Sequence, residues 1–424
     1  MTDKKFQVNE IDEGINYVGY KEAFQFISTN AKTVGVEELP LALSVGRVAA
    51  EDITAAVSYP STNVTLKDGY AVISADIEKA SARHPVHLKI IGSVYAGSKQ
   101  QGEVKQGSTI KVCSGATIPK GTEAVVSEEL CEEISPTKVL VKANATKGRN
   151  ILVAGGEVHA GETIVKKGEK LLPGYLGLAA AAGINRICVY RRPKVAIIGV
   201  GDEVVAPGSN LHPGQLYASN LVTMEAWLGS FGISCIASIT KDDDASIKKE
   251  LLKLIDDVDV ILTSGGAWGS ERDLVIGVLD KLDWREIFHH VRLGPGKGIA
   301  FGLWEGKPVF CLPGGPASNE MAFLQLALPG LLRIAGDVTP PLQTVSAKLM
   351  EDVKGRHPAW TEFKDAVLSR DAKKNFRVRL YKHRSRLQAI ASANSLICVP
   401  EGVSSLVSGT VIPVQVLTPR CEET

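Results

Sequence analysis

The chain carries no excess of charge of either sign: 48 Lys and Arg face 47 Asp and Glu, a formal net charge of +1 over 424 residues. Gripping a polyphosphate backbone takes clustered cations, so a general nucleic-acid binder is excluded. A small anionic ligand is not, because it needs only a local site. No run of about 18 apolar residues occurs, and the start, Met-Thr-Asp-Lys-Lys-Phe-Gln-Val-Asn-Glu, has no apolar signal core. No membrane association is expected. CxxC, HExxH and G-x-x-x-x-G-K-[ST] patterns are all missing, so zinc-protease and P-loop chemistry have no support. The seven cysteines (113, 131, 188, 235, 311, 398, 421) are odd in number, and several sit in apolar runs such as Phe310-Cys311-Leu312. They read as reduced core residues of a cytoplasmic protein.

What is present is ordinary globular material, 44% hydrophobic and 22% charged, which argues against wholesale disorder. At about 100–200 residues per domain, the length predicts two to four domains. Residues 20–31 show helical spacing in Ala23, Phe24, Phe26 and Ile27. From about 51 to 150, short β-rich runs such as 86–91, 109–112, 123–126 and 138–141 alternate with turn residues, a β-dominated module. Residues 173–182 read as a helix and 187–190 as a strand, before a boundary at Arg191-Arg192-Pro193. From 194 to about 336 the pattern is strand, loop, helix: strands at 195–198, 234–239, 258–262 and 308–312, and helices at 219–231, 245–255, about 271–282 and from Pro316 through Leu332. Apolar strands alternating with amphipathic helices predict a mostly parallel sheet covered on both faces. Pro340 and Pro341 then open a C-terminal stretch that reads as β.

Ligands of such sheets bind beyond the carboxyl ends of the strands. Three predicted strand ends carry glycine turns: Gly199-Val200-Gly201-Asp202-Glu203, Thr263-Ser264-Gly265-Gly266 and Leu312-Pro313-Gly314-Gly315-Pro316. Their backbone N–H groups, with helix N-termini behind them, suit phosphate or another oxyanion; the plainer reading is a set of tight strand-to-helix turns. Asp202, Glu203, Asp242 and Asp273 lie beside them, as expected if a divalent cation sits between carboxylates and phosphate. Helix capping explains some of the same residues: Asp242-Asp243-Asp244 precedes a helix, and Ser270 with Asp273 has capping-box spacing.

The order of the motifs resembles the molybdopterin molybdenumtransferases, the MoeA-like family that includes the E domain of gephyrin. The matching segments are Lys67-Asp68-Gly69-Tyr70-Ala71, Ser114-Gly115-Ala116-Thr117-Ile118-Pro119, Gly148-Arg149-Asn150-Ile151 and Gly155-Gly156-Glu157-Val158. Gly201-Asp202-Glu203, Ser219-Asn220, Ser264-Gly265-Gly266 through Asp273, Pro295-Gly296-Lys297 and Leu312-Pro313-Gly314-Gly315-Pro316 complete the series.

This resemblance implies a multidomain α/β plus β fold, with a central three-layer α/β/α molybdopterin-binding domain and β-rich second and C-terminal domains. It places a discontinuous linker or dimerisation domain at 15–50 and 150–190, a β-rich domain at 51–149, the α/β/α domain at 191–337 and a β-barrel-like domain at 338–424. The implied activity is Mg²⁺-dependent insertion of molybdate or tungstate into adenylylated molybdopterin, with release of AMP. An elongated homodimer is implied, its site between the α/β domain of one subunit and the β-rich second domain of the other. Further partners implied are a molybdopterin adenylyltransferase and molybdoenzymes that receive the cofactor. Carried over by position, the catalytic residues are Asp68, Asp242 and Asp273, and the metal ligands Glu203, Asp242 and Asp273. The cofactor-binding set is Ser114, Gly265, Gly266, Ser270, Lys297, Pro313, Gly314, Gly315, Pro316 and Ser385.

Departures from the family pattern cluster around that site. Trp268 stands where a Ser is usual, Gly294 and Gly298 flank Pro-Gly-Lys where Lys and Pro are usual, and Gly315 replaces an Asn, losing an amide donor. Asp365 falls at an arginine position, and Lys297, Arg272, Arg292 and His290 are the cations left to rebuild an anion site. The alternative these changes motivate is a divergent paralogue that binds or delivers a pterin cofactor without catalysing insertion, Trp268 either stacking on a pterin or packing on the next helix.

Overall fold

The structure is a computed structural model that describes residues 16–98, 102–266, 274–382, 385–418 and 422–423. The chain divides into two compact units, Glu37–Val189 and a second made of Met1–Val36 with Tyr190–Thr424. Fold class follows the expectation: α/β plus β, in several packed layers.

The Glu37–Val189 unit is built on a six-stranded sheet whose order is Ala124–Ser127, Gly69–Val72, Ser108–Val112, Val86–Val94, Lys138–Val141 and Cys131–Ser135. All pairings are antiparallel except that of Ser108–Val112 with Val86–Val94. Side chains alternate between two cores, with Tyr70 and Val72 on one face and Ala71 on the other, as a period-2 strand requires. A smaller core of Ala49, Ile53, Val165, Leu171, Ile187 and Val189 lies under the helix Pro173–Ala181.

The second unit begins with helix α1, Tyr20–Asn30. Its α/β layer runs β1 (Val195–Val200), α2 (Ser219–Ser230), β2 (Cys235–Thr240), α3 (Asp244–Leu254), β3 (Val260–Ser264), α4 (Leu274–Asp280), β4 (Arg285–His289), β5 (Ala300–Trp304) and β6 (Lys307–Leu312). The helices α5 (Pro316–Ala322) and α6 (Leu328–Ile334) follow, joined by a π turn at Phe323–Ala327. Sheet order is β2-β1-β3-β6-β5-β4, with β2, β1, β3 and β6 parallel and β5 and β4 antiparallel. β1, β3 and most of β6 are buried, which is why they read as apolar runs. Val195, Ile197, Val260 and Leu262 face one core, and Ala196, Ile198 and Ile261 face the other. Between the helix expected near 282 and Pro308, where the sequence pattern marks no strand, the chain forms β4 and β5. β4 is an edge strand with exposed Arg285 and Glu286, and edge strands lack the continuous apolar run that marks buried ones.

The α5–α6 run contains Pro329, which has no N–H for the carbonyl four residues back, that of Gln325. The π turn falls there, and the Tyr20 hydroxyl lies 3.5 Å from the Gln325 oxygen, serving the acceptor that proline leaves unmet. The next residue, Gly330, lets α1 approach closely: a Cβ on it would lie 2.8 Å from Ile27 Cγ2 and 3.0 Å from Phe310 Cζ.

The C-terminal stretch forms β7 (Thr344–Leu349), β8 (Thr361–Arg370), β9 (Phe376–Leu380), α7 (Arg386–Ser392), β10 (Ser395–Val399) and β11 (Val411–Val416). Pairing runs β8-β9-β7-β11-β10 and back to β8, closing the strands into a barrel. It encloses Leu349, Ala366, Leu368, Val378, Ile397 and Val414. The helix α7 was not read from the sequence.

Among the described residues the cysteines are free thiols, and Cys311 alone is fully buried. Burial pushes its thiol up to about 12. No described helix is long and apolar enough to cross a membrane.

Candidate functional site

The parallel strands β1, β2, β3 and β6 all end at one edge of the α/β layer, as parallel strands must. Their first loop residues define a strand-end site. Gly265, after β3, has φ +99°, and a Cβ on it would stand 2.6 Å from the Val200 carbonyl oxygen; only glycine fits. Its N–H donates to Leu312 O at 3.1 Å, which ties the β3 loop to β6. Gly314 approaches so closely that its Cβ would lie 3.5 Å from Gly265 Cα. Thus Gly265, Gly266, Pro313, Gly314, Gly315 and Pro316 converge, and Pro316 opens α5 directly, the favoured place for a proline.

Two asparagines lock this convergence. Asn220, in the first turn of α2, donates through Nδ2 to Ser264 Oγ (3.1 Å) and Gly314 O (2.8 Å). Asn319, in the first turn of α5, donates through Nδ2 to Ser264 Oγ (3.0 Å) and Pro313 O (2.9 Å). Two turns further along, Trp227 Nε1 of α2 donates to Glu320 Oε1 of α5 at 3.3 Å. Burial pushes the Glu320 carboxyl up to about 7; the indole bond lowers it, and the charge of Asp365 raises it further. Asp365, half-buried on β8, is itself pushed up by burial. Asn319, Glu320 and Trp227 were not singled out from the sequence. A signal for Asn319 existed: it lies one helical turn beyond Gly315, where an amide donor was noted as lost.

The acidic residues stand at the ends of β1 and β2. The backbone N–H of Asp242 donates to Asp202 Oδ1 at 3.3 Å, bringing these two together. Glu203 turns back over Gly201, whose Cβ would meet its carboxylate at 2.7 Å. The capping alternative falls on Asp243, which accepts from Ser246 N at 2.9 Å and caps α3; that hydrogen bonding holds its carboxyl below the usual range. Asp244 pairs with Lys281 instead. Asp242 is therefore not the cap. Hard carboxylate oxygens from Asp202 and Asp242 are the donor set Mg²⁺ takes beside phosphate oxygens, although no group of three or more ligating side chains occurs among the described residues. Asp273, Ser270, Trp268 and Arg272 lie outside the described residues.

The loop carrying Lys297 packs on α5: a Cβ on Gly296 would lie 3.3 Å from Ala322 N and 3.4 Å from Ser318 O. Lys297 is half-buried there, its carbonyl accepting from Val291 N. Gly294 pairs with Glu362 of β8, and a side chain on it would meet Glu362 Cγ at 3.2 Å. The other cationic substitutes are engaged elsewhere. Arg292 donates to Tyr17 O at 2.7 Å and pairs with Glu401 at 3.1 Å. His290 is buried with φ +67°, stacked on His289 at 3.8 Å between ring centroids and edge-on to Tyr17. Ser385 caps α7, its Oγ accepting from Gln388 N at 3.3 Å.

In the Glu37–Val189 unit, Asp68 and Ser114 come together: Asp68 Oδ1 accepts from Ser114 N at 2.5 Å, and Ser114 Oγ donates to Leu66 O at 3.3 Å. Glu157 is exposed, its N–H donating to Tyr59 O.

Fold and geometry define the class: a multidomain α/β and β protein whose glycine loops converge at one sheet edge, with carboxylates alongside. Comparison with known proteins narrows this. Residues 18–183 match the profile described as MoeA N-terminal region (domain I and II), and residues 196–333 that of a probable molybdopterin binding domain. The chain is 30% identical over 398 residues to molybdopterin molybdenumtransferase 2 of Mycobacterium tuberculosis, covering 90% of this chain and 95% of the relative. It is 27% identical to the molybdopterin molybdenumtransferase of Staphylococcus epidermidis, over 94% and 95% of the two chains. The crystal structure of a molybdopterin biosynthesis MoeA protein from Pyrococcus horikosii superposes with a TM-score of 0.78 at 32% identity, covering 96% of this chain and all of that one. The chain belongs to the molybdopterin molybdenumtransferase family, transferases of molybdenum cofactor biosynthesis.

Proposed function

We propose that this enzyme inserts molybdate, or tungstate, into adenylylated molybdopterin in a Mg²⁺-dependent reaction that releases AMP. The observation that carries the reading is the convergence of the Gly265 and Gly314 loops on Ser264 at the ends of β3 and β6. The loop N–H groups beyond Gly265, whose own is spent on Leu312 O, would hold the phosphates, with the start of α5 behind Pro316. Asp242 and Asp202, with Glu203 and Asp273 as further candidates, would hold Mg²⁺, which neutralises phosphate charge as AMP departs. Lys297 adds positive charge from the loop on α5. Asp68 and Asp242 are the acidic residues proposed to act at the reacting groups, together with Asp273. The four-domain division, the homodimer, the cytoplasmic location and exchange with an adenylyltransferase and molybdoenzymes belong to the same reading.

The test is direct. Purified protein incubated with adenylylated molybdopterin, Mg²⁺ and molybdate should release AMP, and Asp242→Asn should slow that release by about 10²-fold or more, the scale of a lost charge at a phosphoryl site. No AMP release with molybdate or tungstate, at any Mg²⁺ concentration, refutes the reading.

A further inference from the structure

Resting on that reading of the strand ends as the ligand site, we propose that Asn319 and Asn220 fix the Ser264 hydroxyl as a donor-only group whose hydrogen serves an oxyanion of the bound ligand. Hydrogen-bond capacity fixes the direction of each bond. A side-chain amide has two N–H hydrogens, and a hydroxyl has two lone pairs and one hydrogen. Gly314 O and Pro313 O can only accept, so the atom facing each must be an amide nitrogen, and neither asparagine can be flipped. The second hydrogen of each amide then goes to Ser264 Oγ, at 3.1 and 3.0 Å. Both lone pairs of Ser264 are thereby occupied. Its own hydrogen must be donated, and no acceptor for it occurs among the described residues.

Placement gives that hydrogen a use. Ser264 is only 6% exposed and ends β3 on the face shared with Val260 and Leu262, the face covered by α2 and α5. It sits where both helices begin, since Asn220 and Asn319 lie in their first turns. The two residues that follow it, Gly265 and Gly266, offer no side chain to fill the space. The ligand class this suits is a phosphate or comparable oxyanion.

Asn319 and Asn220 are positioning residues here, and Ser264 is the group that touches ligand. Titration calorimetry of the full chain with AMP and Mg²⁺ tests this. Ser264→Ala should weaken AMP by about 10-fold to 100-fold, the value of one hydrogen bond to a charged group. Asn319→Asp replaces a donor with an acceptor that captures the serine hydrogen, so it should weaken AMP about as much. The double variant Ser264→Ala/Asn319→Asp should bind no more weakly than the worse single one, because both act on one hydrogen. Multiplying losses would mean that the new carboxylate acts by repulsion alone, and would overturn the proposal; so would a Ser264→Ala protein that binds like the parent. If Asn319→Asp melts out, Asn220→Asp makes the same inversion from the half-buried end of α2, with the same expectation. A parent chain that binds no AMP overturns the proposed function and this inference together, whereas parent-like binding by Ser264→Ala overturns the inference alone.

Discussion

Replacing Glu320 by Gln should remove one pH-dependent contribution to stability. Glu320 is 8% exposed, its carboxyl accepts one hydrogen bond among the described residues, from Trp227, and it stands within range of a second carboxylate, Asp365. Burial, the largest influence, raises its pKa from 4.5 to about 7. The folded protein therefore keeps this proton over a range in which the unfolded chain releases it. Stability from this group is intact below about pH 4.5, falls as pH rises toward 7, and is level above that. At about 1.4 kcal/mol per pKa unit, the full loss is about 3 kcal/mol. Gln has nearly the same shape and still offers Trp227 an acceptor, so Glu320→Gln should match the parent at pH 4.5 and exceed it by about 3 kcal/mol at pH 8.5. Urea unfolding followed by tryptophan fluorescence at pH 4.5, 5.5, 6.5, 7.5 and 8.5 measures the difference directly. Asp365→Asn should shrink it, since the neighbouring charge contributes to the raised pKa. Parallel stability curves for parent and Glu320→Gln would refute the reasoning.

Three further outcomes follow from the geometry. Asp259 is pulled up by burial but held below the usual carboxylate range by Arg191, with bonds of 2.7 and 2.8 Å, and by the Lys194 N–H. Asp259→Ala should cost about 2 kcal/mol at pH 7, allowing for the partial exposure of the pair, and the difference should fade as pH drops below the carboxylate range; urea midpoints at pH 7 and 3 check this. Gly265→Ala forces a Cβ against Val200 O at positive φ and should cost about 1–3 kcal/mol together with AMP affinity, read by thermal melting and calorimetry. Phe310→Ala, at a fully buried position under Gly330, should cost about 3–5 kcal/mol without changing AMP affinity in the protein that remains folded.

Much of the fold was legible because burial on both faces writes itself as apolar runs. β1, β3 and β6 could be read this way, and the glycines after them marked where the strand-end loops begin. β4 was missed because it is an edge strand with polar residues turned to solvent, β5 because it is short and Gly302 interrupts its apolar run, and α7 because a single short helix inside a β stretch leaves no sustained period. The strand-end loops read as an anion site and Asn220 stood in the Ser219-Asn220 motif, but Asn319 and Glu320 carried no such mark. Asn319 and Glu320 sit in a helix whose apolar pattern dominates its sequence, and a polar residue there looks like solvent-facing surface until the opposite helix is in place. His290 and Arg292 show the converse. They read as cations available to a ligand, and packing commits one to an aromatic stack and the other to Tyr17 and Glu401.

Motif order and the alternation of apolar runs were enough to place the chain in its family and fold class, because those properties depend only on which residues occur and how they are spaced. Whether a given polar side chain is spent or available depended on partners distant in sequence: Asn220 reaches Gly314, and Asn319 meets Ser264, 55 residues away. Hydrogen-bond capacity and burial belong to the neighbourhood of an atom rather than to its residue type, so only the tertiary structure decided which polar groups brace the strand-end loops and which are committed elsewhere.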